Sequence, residues 1–173
     1  MSAKRPYRVT VVCTGNICRS PMGEFLLRER FADAGLEDRV VVDSAGTHSW
    51  EEGNPADPRT LAVLARNGHQ DMGGSEHVAR RFEQSWFDEV DLVLAADAGH
   101  LSELSTLART DEHRAKIRMF RSFDPVSAER DDLDMDDPWF GDDRSFDQTY
   151  AEVTAAADGV VAHVRRVLAT RPD

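Results

Sequence analysis

Cysteine is nearly absent from this 173-residue chain, which holds only Cys13 and Cys18, with four residues between them. Two thiols so few and so local exclude a disulfide framework of the secreted type. With no second cysteine pair and no histidine pair at ligand spacing, they do not complete a tetrahedral zinc site either. Long apolar runs are also missing: none approaches the ~18 residues of a membrane helix, and the basic start MSAKRPYRVT leads into no apolar stretch of signal-peptide length. The expectation is a soluble, cytoplasmic protein with no membrane partner. Positive charge is in deficit, 21 Lys and Arg against 32 Asp and Glu, for a net charge of −11. A surface of that sign repels polyanions, so a nucleic-acid partner is not expected. No internal repeat or low-complexity tract breaks the chain.

What is present suits one globular domain over residues 1–173, with 40% hydrophobic and 31% charged residues. The β-branched run Tyr7 to Val12 reads as a first strand, followed by the turn-forming Thr14-Gly15-Asn16. Ser20 as N-cap and Pro21 at the first position open a helix to Ala34, stopped by Gly35. Val40 to Asp43 reads as a second strand. Asp57-Pro58 caps a short helix with Leu61, Leu64 and Ala65 inward, and Gly68 to Gly74 reads as a loop. Asp91 to Ala95 and Ile117 to Phe120 supply the third and fourth strands, with a helix over Gly99 to Ala108 between them. Phe146, Tyr150, Val153, Ala157, Val160, Val164 and Val167 recur every three or four residues, the apolar stripe of a final helix. Strands separated by helices predict an α/β fold, a three-layer sandwich around a four-stranded parallel sheet, with the working loops at the carboxyl ends of the strands.

The loop after strand one carries the chemistry. Cys13-Thr14-Gly15-Asn16-Ile17-Cys18-Arg19-Ser20 joins a strand to a helix, where backbone N–H groups and the helix dipole favour an anion. No Gly-Lys-Ser/Thr closes it as a nucleotide loop, and the glycine spacing of a dinucleotide fingerprint is absent. Instead it pairs a thiol, whose anion is a nucleophile, with a planar guanidinium that grips two oxygens of a tetrahedral anion. A free thiol is only a few per cent ionised at pH 7, so complete ionisation gains about 30-fold, roughly 2 kcal/mol. Cleavage of a phosphate monoester demands a barrier reduction of up to ~20 kcal/mol, so loop amides, the arginine and a general acid elsewhere must supply most of it.

The segment VCTGNICRSP resembles the signature loop of the low molecular weight protein tyrosine phosphatases, and DSAGT (43–47), DLVLAAD (91–97) and DPWFGD (137–142) follow in that family's order and spacing. The resemblance implies that Cys13 is the nucleophile, Arg19 the phosphate clamp and Asp137 the general acid. It implies a phosphate-binding loop of Thr14, Gly15, Asn16, Ile17, Cys18 and Ser20, supported by Ser44, His77 and Asp97. Trp50, Trp139 and Phe140 would wall a slot for a phenyl ring, with Ile17 in its floor, and Cys18 would shield Cys13 as a reversible disulfide. The implied substrates are phosphotyrosine-containing proteins, with no cofactor and no metal.

Protein arginine phosphatases of the same fold are the alternative, and they carry Thr where this loop has Ile17. Thioredoxin-coupled arsenate reductases use a further carboxyl-terminal cysteine pair, which this chain lacks. A non-catalytic phosphate-binding module would be expected to lose the thiol or the acid, and both are here. Trp139 and Phe140 replace the two tyrosines that often follow Asp-Pro in the family, which removes phosphorylation at those positions. The run Glu129 to Asp143 holds eight acidic residues against Arg130 alone, a field that favours phosphopeptides with basic flanks.

Overall fold

Short aliphatic and β-branched runs make the four strands of the computed structural model, which describes residues 4–69 and 76–171. β1 (Tyr7–Cys13), β2 (Val40–Gly46), β3 (Leu92–Ala95) and β4 (Ile117–Met119) pair in parallel in the order β2-β1-β3-β4. Val9, Val11 and Val12 of β1 are wholly buried, as a parallel sheet covered on both faces requires. One face packs under α1 (Arg19–Asp33) and α6 (Asp143–Thr170), where Phe25, Leu26, Phe31, Phe146, Val153 and Val160 form a single cluster. The other face holds Val93, Phe82, Phe87 and, from α3 (Ala98–Leu107), Leu104. Each such buried side chain contributes about 1.5–3 kcal/mol against the entropy of ordering the chain.

This strand order decides where a ligand can sit. The chain leaves β1 to pair β2 on one side and later returns to pair β3 on the other, so the crevice at the carboxyl end of β1 is the switch point of the sheet. The loop 14–18 occupies that crevice.

Several local expectations are corrected. Helix α1 begins at Arg19 with Cys18 as its cap residue, so Ser20 lies inside the helix rather than at its N-cap. Its hydroxyl is turned toward the loop and is unavailable for capping. Strand β2 runs three residues past Asp43, because Ser44, Ala45 and Gly46 continue the register opposite Val11, Val12 and Cys13. In α2 (Pro58–Arg66) the buried positions are Thr60, Val63 and Leu64, while Ala65 is exposed and Leu61 half-buried. The short helices α4 (Asp111–Ala115) and α5 (Pro125–Arg130) were not anticipated; each has a side-chain cap, Thr110 and Asp124, but too few turns to display a period. The stripe of α6 is present, with Tyr150 and Val167 only partly buried. Gly35 and Gly68 have φ of +68° and +85°, the left-handed geometry that ends α1 and α2. Of the loop expected over Gly68 to Gly74, residues 70–74 lie outside the described ones.

The carboxyl end of β2 must approach the loop closely. A Cβ placed on Gly46 would lie 2.5 Å from the Thr14 carbonyl oxygen and 3.2 Å from the Asn16 nitrogen. Retreat is blocked on the other side, where Gly46 exchanges backbone hydrogen bonds with Arg80 and Phe82. Gly46→Ala is therefore predicted to lower stability by about 1–3 kcal/mol, read as a shift of the urea midpoint, and to reduce anion affinity together with it. An unchanged midpoint would show that the loop yields freely.

Candidate active site

Asn16 sets the shape of the loop. It adopts φ +60°, a left-handed conformation that asparagine tolerates better than most residues, and it is fully buried. Its Nδ2 donates to Ser20 Oγ at 2.8 Å and to Ser44 Oγ at 2.9 Å. Its Oδ1 accepts from the Arg80 amide at 3.1 Å, and its carbonyl accepts from His77 Nε2 at 2.8 Å. Ser44 in turn donates its hydroxyl hydrogen bond to Glu24 Oε1 at 2.9 Å. Burial raises the Glu24 carboxyl above its ordinary value, against the opposing pull of Arg28 and the Ser44 hydroxyl. With Ser20 Oγ already accepting from Asn16, the Ser20 hydroxyl proton is left for Cys13 Sγ, 3.0 Å away. That contact stabilises a thiolate. The amides of residues 14–18 donate to no other group among the described residues, so the loop presents them as an unused array of donors.

Arg19 is 3% exposed. Its Nη1 donates to Asp97 Oδ2 at 2.9 Å and to the Met135 carbonyl at 2.8 Å. Its Nη2 makes a longer bond to Thr14 Oγ1, 3.3 Å, and lies 3.6 Å from Asp137 Oδ2. Its Nε is buried with no hydrogen-bond partner among the described residues. One side of the guanidinium is thus anchored and the other keeps its donors. Burial opposes its charge, but Cys13, Asp137 and Asp97 outweigh burial and hold the guanidinium charged. Asp97 also caps α3 through the His100 amide at 3.1 Å. Burial would raise the Asp97 carboxyl, yet His100 and Arg19 together hold it below the usual carboxylate range.

The two cysteines are both free and buried, in different surroundings. Cys18 Sγ faces Asp57 Oδ2 at 3.8 Å, and burial with that carboxylate pushes its thiol far up, so Cys18 stays protonated. Asp137 caps the short turn Pro138–Phe140 through the Trp139 amide at 3.1 Å, which places the aromatic pair at the site's edge.

Cys13, Thr14, Gly15, Ile17, Cys18, Arg19, Trp50, Glu51, Asp137, Trp139 and Phe140 line one cavity of about 200 Å³. A cavity on the order of 150 Å³ accepts benzene, so one aryl group fits. Trp50, Trp139 and Phe140 are exposed by 74%, 50% and 80%. Trp50 stacks on His48 at 4.2 Å and Trp139 meets Phe140 edge-on at 5.0 Å. Three exposed aromatics around one cavity mark a contact surface. Asn16, Ser20, Ser44, His77 and Asp97 sit behind the cavity rather than in its wall. Four participants carry no sequence motif: Glu24, Glu51, the Met135 carbonyl and His100, which is 3% exposed and 2.8 Å from Thr14 Oγ1. The available cue to His100 was its place three residues after Asp97, on the same first turn.

The family described as low molecular weight phosphotyrosine protein phosphatase matches residues 8–169. The chain belongs to this family. It is 53% identical to a low molecular weight protein-tyrosine-phosphatase of Streptomyces coelicolor, over 92% of this chain and 94% of that one. Among solved structures, a protein tyrosine phosphatase from Entamoeba histolytica with Hepes in its active site superimposes with a TM-score of 0.84 at 26% identity, over 92% of this chain and 97% of the other. Vibrio vulnificus Wzb in complex with benzylphosphonate gives a TM-score of 0.75 at 26% identity, over 91% and 98%. No described helix of this phosphatase is long and apolar enough to cross a membrane.

The depressed Asp97 carboxyl gives a pH signature. Stability from a carboxylate held below its unfolded value is complete above that value, about 3.9, and is lost as pH falls through the folded one. Asp97→Asn is predicted to lower the melting temperature at pH 7, and thermal scans should find the gap from wild type closing as the pH falls below that unfolded value. A gap that persists undiminished in acid would remove the ion pair with Arg19 as its cause.

Proposed function

We propose that this phosphatase hydrolyses phosphotyrosine in proteins, with Cys13 as nucleophile, Arg19 as clamp and Asp137 as acid and base. The observation that carries the reading is the half-anchored guanidinium: Arg19 Nη1 is engaged by Asp97 and Met135 while Nε has no partner among the described residues, beside the thiol and the unused loop amides. Donors so arranged hold the equatorial oxygens of a phosphoryl group in transfer, where charge stabilisation dominates the barrier.

Cys13 Sγ attacks phosphorus as the bond to the tyrosyl oxygen breaks, and Asp137 delivers its proton to that departing oxygen. The Asp137 carboxylate then takes a proton from the water that attacks phosphocysteine, releasing phosphate and the Cys13 thiolate, which the Ser20 hydroxyl receives. Ser44, His77 and Asp97 keep loop and guanidinium in place. The cavity suits a flat ring, and the benzylphosphonate in complex with the Vibrio relative joins a phenyl ring to a phosphonate through one methylene. A phosphoserine is too short to bring its phosphorus past Trp50, Trp139 and Phe140 to Cys13. Phosphoarginine fits worse at Ile17, which offers no hydroxyl to a guanidinium and leaves its N–H groups unpaired at about 1–3 kcal/mol. The same reading places the enzyme in the cytoplasm, where two buried free thiols stay reduced.

Cys13→Ser should abolish turnover while phosphate still binds, and residual turnover within tenfold of wild type would remove the nucleophile role. Asp137→Asn should lower kcat by roughly 10²–10⁴ for basic phenols and by much less for acidic ones. An equal loss for both would leave Asp137 a purely structural part. Phosphotyrosine, phosphoserine and phosphoarginine peptides compared by kcat/KM should rank tyrosine first, with Ile17→Thr raising relative activity on phosphoarginine. A wild-type enzyme that cleaves phosphoarginine as well as phosphotyrosine would move the assignment to arginine phosphatase.

A further inference from the structure

His100 closes a polar ring behind the clamp. From Arg19, Nη1 reaches Asp97 Oδ2 at 2.9 Å and Nη2 reaches Thr14 Oγ1 at 3.3 Å. His100 meets the same two side chains, with Nδ1 3.1 Å from the other Asp97 oxygen, Oδ1, and Nε2 2.8 Å from Thr14 Oγ1. The imidazole is buried, and its Nδ1 lies off the line of a hydrogen bond and has no other partner among the described residues. Two lone pairs at 3.1 Å would repel, so the proton belongs on Nδ1, facing the carboxylate. Nε2 is then an acceptor, and the Thr14 hydroxyl must donate to it while accepting from Arg19.

We propose that His100 is a positioning residue that aims the Thr14 hydroxyl: neutral, it draws the hydroxyl proton away from the cavity, and protonated, it donates to Thr14 Oγ1 and frees that proton for an anion in the site. Thr14 lines the cavity, so the freed O–H adds one donor to the anion site. The charged groups that face His100 are Asp97 and Glu103 on its own helix, Arg19 on α1, and Asp137 from the segment before the short turn. Burial pushes the imidazole below its ordinary value, aided by Arg19 and opposed by Asp97, Glu103 and Asp137. Neutral His100 is therefore the resting form at pH 7, and anion binding takes up a proton. The inference rests on Arg19 being the anion clamp, but its signature does not require turnover.

Sulfate is the probe, since its own ionisation does not change over the range studied. Its dissociation constant is measured from about pH 8 to about pH 5 in wild type, His100→Gln and Thr14→Val. Wild type should tighten toward acid by about tenfold more than either variant, the worth of one charge-assisted hydrogen bond. Long-range proton–nitrogen spectra of histidine-labelled wild type need no variant: they should show Nδ1 protonated and Nε2 bare at pH 7, with both nitrogens protonated once sulfate saturates the site in acid. The Nε2–H tautomer in the free enzyme, or pH dependences of binding that coincide in all three proteins, would overturn the proposal and leave the clamp intact. Failure of sulfate to bind wild type at any pH would overturn the clamp reading and this proposal with it.

Discussion

A buried guanidinium is the constraint around which the site is organised. Removing an arginine from water costs several kcal/mol unless partners replace its hydration, and Arg19 cannot shed its charge. Its partners come from three separate parts of the chain: Asp97 at the start of α3, the Met135 carbonyl from the acidic segment, and Thr14 from the loop. Each is held in turn. Met135 is itself buried and its amide donates to Ala96 at 2.9 Å, at the end of β3, so the segment that ends in Asp137 is drawn back onto the sheet. Arg121 fastens the same segment by donating to the Asp134 carbonyl at 2.6 Å. The placement of Asp137 in the wall of the cavity that Cys13 also lines therefore goes with satisfying Arg19.

The second constraint is the left-handed Asn16, which points the loop amides outward at a cost in backbone strain. Four hydrogen bonds offset that strain: Asn16 donates to Ser20 and Ser44 and accepts from Arg80 and His77. Because Ser44 donates onward to Glu24, the direction of every proton in the chain is set, and it ends with Ser20 donating toward Cys13. The same loop thereby treats its two thiols oppositely: Cys13 meets a hydroxyl and a guanidinium, whereas Cys18 meets the Asp57 carboxylate in an apolar setting.

Legibility in the sequence followed the range of each interaction. The strands and α6 were readable because their apolar period repeats along the chain, and the loop because Cys13, Asn16 and Arg19 act within seven residues. Ser20 was misread as an N-cap, since a serine before a proline has the local signature of one. Only the tertiary position of Cys13 and Asn16 shows where its hydroxyl goes. Ala65 was misplaced because α2 turns its Thr60, Val63 and Leu64 edge toward α1 and α6, a choice the neighbouring helices make. Glu24, Met135 and His100 carry no local motif. Glu24 sits among apolar neighbours of α1, Met135 contributes a backbone carbonyl that any residue owns, and His100 finds Thr14 across 86 positions. Asp97, Ser44 and His77 were reached through a family resemblance rather than through their own surroundings.

Anion binding at this site depends on the planar fork of Arg19, anchored through Nη1 and less fully engaged through Nη2 and Nε, rather than on positive charge alone. Arg19→Lys keeps the charge and removes the fork, so the affinity of the variant for inorganic phosphate, measured by calorimetry against wild type at the same pH, tests the claim most directly. The fork predicts binding weaker by at least about tenfold, since a lysine supplies a point charge and cannot both reach Asp97 and grip two oxygens. Phosphate bound as tightly by the lysine variant would contradict it.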